Sequence, residues 1–294
     1  MFFKIFIALL LAVYLTILVV LVARGLFRPS RQKRVRRKLP MDDYEGEDVI
    51  EVLNLGKSFD HPVLSSVTLK IKKGETVGIL GQSGTGKSVL LKLIAGFLKP
   101  DHGRIFFKGR DIGTMTESEL LEVRKRVSYV FQHGAVFDFL DVGENIAYPL
   151  REQGITDEEV ILRRVEYLLD AVELEGMENS MNDELSAGGK KQVAIARAIA
   201  NDPQVILYDE PTTGVDPIIR KSVSRLIRKL NRQEKLTSIV VTHDLKCLEI
   251  VADRVILLKD GEIRFQGDLP SLKRSEDPFV QAFIAGKRYE EASA

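Results

Sequence analysis

Eight consecutive residues, Gly81-Gln82-Ser83-Gly84-Thr85-Gly86-Lys87-Ser88, have the types and spacing needed to grip phosphate. They follow the pattern G-x-x-x-x-G-K-[ST]. Gly81, Gly84 and Gly86 allow turns that a side chain would forbid. The N–H groups of such a loop can converge on phosphate oxygens, and the positive end of a following helix adds to the attraction. Lys87 would reach the β- and γ-phosphates as a point charge. The Ser88 hydroxyl would ligate Mg²⁺, which prefers hard oxygen ligands. A chance glycine-rich turn is the bland alternative. The apolar run 76–80 before the loop and the helix-like run 89–95 after it supply the strand and helix that the motif requires.

Two further apolar runs end in residues that can act on a bound phosphate. Val205-Ile206-Leu207-Tyr208 leads into Asp209 and Glu210, and the run 237–241 leads into Thr242-His243-Asp244. Continuous apolar runs of this kind read as buried parallel strands. Ligands in open α/β sheets bind at the carboxyl ends of such strands. Asp209 would then contact Mg²⁺ directly or stand one ligand away from it. Glu210, as the next strand residue, is expected on the opposite side. It can orient or deprotonate an attacking water. His243 can hold the γ-phosphate and that water. A Thr-His-Asp triplet alone is more often a structural cap, and Gln132 alone after the strand 127–131 says little. The phosphate loop and the paired acids change that balance.

These elements imply an α/β architecture. Strand-like runs occur at 49–53, 67–71 and 104–107, and the run 190–200 reads as a helix after Ser186. Residues 142–172 turn helical, with a capping box expected from Thr156 and Glu159. Asp260-Gly261 between 255–258 and 262–265 predicts a hairpin. Phe279, Val280, Phe283 and Ile284 fall at helical spacing in the tail. The lone Cys247 excludes an intrachain disulfide framework and a cysteine metal cluster, and its helix-like context suggests packing.

Charge is segregated along the chain. Residues 5–23 are uncharged and mostly apolar, and eight basic residues follow between 24 and 38 with no acid among them. As a helix the apolar run would span roughly 28 Å, close to the ~30 Å of a bilayer core. A signal peptide would be shorter and would carry a cleavage site. Export would also strand a domain that needs ATP. An uncleaved anchor is therefore expected at 1–23, with the N-terminus outside and the rest in the cytoplasm by the positive-inside rule. The basic segment and linker occupy 24–48, where the cations can touch anionic lipid. From residue 39 onward, 34 basic residues face 42 acidic ones, a balance that does not suit nucleic-acid binding.

Over residues 49–267 the chain resembles the ATPase subunits of ABC transporters. Gly81 to Ser88 matches Walker A, Gln132 the Q-loop, and Leu185-Ser186-Ala187-Gly188-Gly189 the signature motif. Residues 205–210 match Walker B with its catalytic glutamate, Gly214-Val215-Asp216 the D-loop, and His243 the switch histidine. Phe59 matches the aromatic that stacks on adenine. The resemblance implies a P-loop nucleotide-binding domain at 49–268, with a parallel core sheet, an antiparallel β subdomain and a helical subdomain at about 134–190. A C-terminal helix and tail would fill 269–294. It implies ATP and Mg²⁺ as ligands and a head-to-tail homodimer. Ser186, Gly188 and Asp216 of one subunit would act on the nucleotide of the other.

Two stretches narrow the resemblance. Gln132-His133-Gly134-Ala135-Val136-Phe137 and Asn145-Ile146-Ala147-Tyr148-Pro149-Leu150-Arg151-Glu152 are similar to the ATPase of Mce/Mla-type lipid transporters. The tail from Asp277 to Phe283 resembles the segment that docks a small STAS-domain protein in that family. The implied setting is the cytoplasmic face of the cell inner membrane, beside an integral permease and an MCE lipid-binding protein. The implied cargo is phospholipid or a related lipid. The competing readings are an ATPase for another import or export system, a non-transport ABC protein, and a scaffold without turnover. The single cassette with an anchor disfavours the second, and Glu210 with His243 disfavours the third. The signature departs from the usual pattern at Ala187, Gly189 and Gln192. An extra methyl near a phosphate would slow closure of the dimer, so Ala187→Gly should raise the ATPase rate of the purified chain. An equal or lower rate would count against that cause.

Overall fold

The computed structural model describes residues 44–286. The expected anchor at 1–23 and the basic segment after it lie outside those residues. Among the described residues, no helix is long and apolar enough to cross a membrane.

The chain begins with the antiparallel pair β1 (Asp48–Ser58) and β2 (Pro62–Lys72). Val67, Leu69 and Ile71 alternate inward on β2, the period-2 signature of a sheet with one wet face. Next come β3 (Thr76–Leu80), the phosphate loop, and α1 (Lys87–Ile94). β4 (His102–Phe107) returns to β1, and β5 (Arg110–Asp111) adds to its edge. α2 (Glu117–Arg124) leads to β6 (Val127–Val130). The helices α3 (Val142–Glu152), α4 (Glu158–Ala171) and α5 (Ala187–Ile199) follow, and β7 (Val205–Asp209) comes after them. α6 (Pro217–Gln233), β8 (Thr237–Thr242) and α7 (Leu245–Val251) alternate, and β9 (Arg254–Lys259) pairs with β10 (Glu262–Gly267). Two short helices, α8 (Leu269–Lys273) and α9 (Pro278–Ile284), end the described chain.

The strands form two sheets. The smaller is antiparallel, in the order β2-β1-β4-β5. The larger runs β10-β9-β3-β8-β7-β6, parallel from β9 to β6, with β10 antiparallel on its edge. Every residue of β3, β7 and β8 is buried, which is why these segments read as unbroken apolar runs. The parallel pairing of β6, β7, β8 and β3 brings their carboxyl ends to one edge. That edge carries the phosphate loop, the two acids and His243.

The hairpin between β9 and β10 joins the two sheets. Asp260 and Gly261 both adopt positive φ, 50° and 78°, as a two-residue turn of this hand requires. The Gly261 carbonyl accepts from the Ser65 N–H of β2 at 3.0 Å. A Cβ on Gly261 would lie 2.8 Å from the Val63 carbonyl oxygen, so the close approach needs glycine.

The helical run at 142–172 is two helices, broken around Gly154 at φ 82°. The capping box expected from Thr156 and Glu159 does not form. Asp157 caps α4 instead, accepting from the Glu159 and Val160 N–H groups at 3.1 and 3.3 Å. Its carboxylate is one residue nearer the helix and needs no glutamate partner. The same S/T-x-x-E spacing at Thr116 does produce a box on α2. There the Thr116 N–H and hydroxyl each donate to Glu119 at 2.9 Å, and the Arg110 guanidinium adds a third donor at 2.7 Å. Those donors hold the Glu119 carboxyl down at about 2. The helix α5 starts three residues before the expected 190, because Ser186 caps it ahead of Ala187 and two glycines of low helix propensity.

Removing the Asp157 side chain should cost about 1 kcal/mol, the usual worth of such a cap. For a chain of this size that lowers Tm by roughly 2–4 °C. Thermal denaturation should show this fall for Asp157→Ala and almost none for Thr156→Ala.

Candidate active site

The phosphate loop owes its shape to two left-handed glycines, Gly84 at φ 84° and Gly86 at φ 90°. Gly86 packs so closely under the β2 segment that a Cβ would meet Leu64 Cδ2 at 2.7 Å and the Val63 carbonyl oxygen at 2.9 Å. Gly86 also serves as the N-cap of α1, and no side chain caps that helix. Every other α-helix among the described residues carries a Ser, Thr or Asp whose side-chain oxygen accepts from its first turn. The first-turn N–H groups of α1 are thus left for a ligand, and an anion is the ligand they favour.

Lys87 is buried and folds back over the loop. Its ammonium donates to the Gly81 and Gln82 carbonyls at 3.0 and 2.9 Å, and stands 3.9 Å from Glu210 Oε1. Burial pushes its pKa down, while Glu210 and Asp209 push it back up. Ser88 Oγ donates to Asp209 Oδ1 at 2.7 Å. The loop residues Gln82, Ser83, Gly84, Thr85, Gly86, Lys87 and Ser88 line a cleft of about 1340 Å³, together with Phe59, Gln132, Glu210 and His243. That volume accommodates a nucleotide by the usual size of ligand clefts. Phe59 is 56% exposed on its rim, with the Lys57 ammonium 5.4 Å from its ring centroid.

Glu210 does not continue β7. The strand ends at Asp209, and Glu210 turns into the left-handed region at φ 47°. The strand-alternation rule that separates the two acids therefore stops one residue short. The Glu210 N–H still donates to the Val241 carbonyl at 3.0 Å, which anchors the turn to β8. Its Oε2 accepts from Thr213 Oγ1 at 3.0 Å and Thr242 Oγ1 at 3.2 Å, and lies 3.0 Å from His243 Nδ1. Oε1 is left facing Lys87 and the cleft. A non-glycine residue held at positive φ is costly and is found where the surroundings over-determine it, often at functional sites.

Asp209 is nearly buried. Its second oxygen accepts from the Tyr129 hydroxyl at 2.7 Å. Lys191 of α5 donates to the backbone carbonyl of Gln132 and so ties that helix to the Gln132 turn. Sequence patterns assign no role to Tyr129, Lys191 or Thr213, and name Thr242 only within the Thr-His-Asp triplet. Their partners lie 80, 59, 3 and 32 residues away, so only Thr213 stood within local reach of its acid.

Ser186, Gly188 and Asp216 are not among the residues that line the cleft. Ser186 Oγ accepts from the Gly189 N–H at 3.1 Å, and Asp216 caps α6 through the Ile218 and Ile219 N–H groups. Gly188 packs on the α6 segment, where a Cβ would meet Ile219 Cγ2 at 2.8 Å. The signature helix thus packs on the helix that the D-loop residue Asp216 caps. Cys247 is buried in the core, and burial pushes its thiol up to about 11.

The donor set suits Mg²⁺. Among the described residues, no group of three or more His, Cys, Asp or Glu side chains is placed to hold a metal alone. The Ser88 hydroxyl and the Gln132 amide line the cleft, and the Asp209 carboxylate stands directly behind Ser88, a set that matches a hard ion completing its shell with phosphate oxygens and water.

A nucleotide-sized cleft over an uncapped helix, with paired carboxylates at the strand ends, defines a P-loop nucleoside triphosphatase. Residues 64–213 match the ABC transporter family, and the chain belongs to it. It is 41% identical over 242 residues to the intermembrane phospholipid transport system ATP-binding protein MlaF of Haemophilus influenzae, covering 82% of this chain and 92% of that protein. The MlaF protein of Escherichia coli K12 is 40% identical over 224 residues, covering 76% and 83%. The dimeric post-hydrolysis structure of the cassette MJ0796 bound to ADP and Pi superposes with a TM-score of 0.69 at 34% identity, covering 75% of this chain and 98% of that one. The chain is an ATP-binding and ATP-hydrolysing subunit of an ABC transporter, with ATP and Mg²⁺ as its ligands. The MJ0796 cassette of that structure is a dimer.

Replacing Glu210 with Gln should leave nucleotide binding intact. It should lower phosphate release by roughly 10²–10⁴-fold, the usual worth of a positioned base. Wild-type turnover in Glu210→Gln would remove Glu210 from the reaction.

Proposed function

We propose that this chain powers a phospholipid transport system of the cell envelope, on the cytoplasmic face of the inner membrane. The observation that carries this reading is the 41% identity to an MlaF protein across 82% of the chain. The 132–152 stretch supports it through its similarity to the ATPase of Mce/Mla-type transporters, and two of its rings, Phe137 and Tyr148, lie together against Arg197 of α5. The Phe137 and Tyr148 rings meet edge-on at 4.9 Å, with the Arg197 guanidinium 5.0 Å from the Phe137 ring.

The geometry supports the following roles. Phe59 stacks on the adenine. The backbone from Gly81 to Gly86 and the first turn of α1 bind the phosphates, and Lys87 leaves its two carbonyls to neutralise the terminal one. Ser88, Asp209 and Gln132 hold Mg²⁺, which supplies positive charge to the transferring phosphoryl oxygens. Glu210 accepts a proton from the attacking water at Oε1, because Thr213, Thr242 and His243 occupy Oε2 and fix the carboxylate. His243 is 60% exposed and free to turn its other ring nitrogen toward the γ-phosphate. Ser186, Gly188 and Asp216 act on the partner subunit's nucleotide, which explains why they stand away from the cleft of their own chain.

The domain plan is 1–23 anchor, 24–48 basic linker, 49–268 nucleotide-binding domain with a helical part at about 134–190, and 269–294 C-terminal helix and tail. Beyond the permease, the partners are an MCE lipid-binding protein and a STAS-domain protein seated at the tail. The anchor tethers the ATPase beside its permease and so raises the effective concentration.

Gentle detergent purification of the tagged full chain tests this reading. Mass spectrometry should identify a permease and an MCE protein among the co-isolated polypeptides, and phospholipid among the bound small molecules. Recovery with a soluble-substrate importer instead would overturn the lipid assignment. A chain lacking residues 1–38 should recover less permease, and equal recovery would refute the tether.

A further inference from the structure

Asp209 is held from both sides. Ser88 Oγ donates to Oδ1 and the Tyr129 hydroxyl donates to Oδ2, each at 2.7 Å. Tyr129 reaches it through sheet register. β6 and β7 run parallel with Tyr129 opposite Leu207, and Asp209 lies two residues further along the same face of β7. The long phenol side chain covers that offset. Its ring is seated by others, with centroids 4.4 Å from Phe131 and 5.6 Å from Phe97. The Phe97 ring in turn lies 5.8 Å from the Arg124 guanidinium. The ring contacts need no hydroxyl. The hydroxyl has one task, which is to occupy the carboxylate oxygen that points away from Ser88.

We infer that Tyr129 is a positioning residue for magnesium: its hydroxyl locks the Asp209 carboxylate in the orientation that presents Oδ1, with Ser88, to the ion. Groups that hydrogen-bond a metal-binding side chain fix its rotamer, and losing one typically costs 10–100-fold in metal affinity or activity. The cost is expected at the low end here, because Ser88 still restrains the other oxygen. This inference rests on the proposed assignment of Asp209 to the metal.

The test uses the full-length chain in detergent with Mn²⁺ as the probe, titrated by electron paramagnetic resonance in the presence of a non-hydrolysable ATP analogue. Tyr129→Phe keeps the ring and removes only the hydroxyl. Tyr129→Met keeps apolar bulk without the ring. Both should weaken Mn²⁺ binding by about tenfold. Affinity for the analogue in EDTA should stay unchanged, a readout that general loosening of the fold would move. Asp209→Asn serves as the reference. Unchanged Mn²⁺ binding in Tyr129→Phe, with a loss in Asp209→Asn, would overturn the role of Tyr129 alone. Unchanged binding in Asp209→Asn would overturn the metal assignment beneath it. A loss in Tyr129→Met but not in Tyr129→Phe would assign the effect to ring packing and would also overturn the inference.

Discussion

A lysine ammonium buried at the foot of a helix whose N-terminus no side chain caps is the constraint on which this molecule turns. Lys87 has two backbone carbonyls and the Glu210 carboxylate, with Asp209 beyond them, to answer its charge. Removing a charge from water is expensive unless it is paired and hydrogen-bonded. The carbonyls must therefore stay where they are, and so must the strand that delivers them. β3 is buried along its whole length between β8 and β9, and this central position holds the loop rigidly at the sheet edge.

The acids are held to that edge by neighbours rather than by their own strand. Asp209 is gripped by Ser88 of α1 and Tyr129 of β6. Glu210 is gripped by Thr242 and His243 from the end of β8 and by Thr213 from the turn after β7. Each acid thus senses a different pair of elements. A change in the turn after β8 bears on Glu210, and a change in β6 or α1 bears on Asp209.

On the proposed reading, one subunit leaves its own site unfinished. α5 and α6 are capped by Ser186 and Asp216, the residues we propose to act on a neighbouring nucleotide. Their mutual packing at Gly188 and Ile219 makes signature helix and D-loop helix one surface. Lys191 then links that surface back to the Gln132 carbonyl and so to the cleft.

The linear chain determined the phosphate loop, the strand runs that end at Asp209 and at Thr242, the hairpin at Asp260-Gly261, and the family. Each of these is a local pattern, in which glycine spacing or apolar periodicity maps onto backbone geometry without reference to distant residues. Only the tertiary structure decided the turn of Glu210 out of its strand, the choice of Asp157 over Thr156 as a cap, and the donors to the two acids. The first depends on the Val241 carbonyl and the Thr242 hydroxyl of β8, and the last on side chains from strands far apart in sequence. A hydrogen bond needs its partner's position to a few tenths of an ångström, and sequence order carries no such distance until parallel strands have set their register.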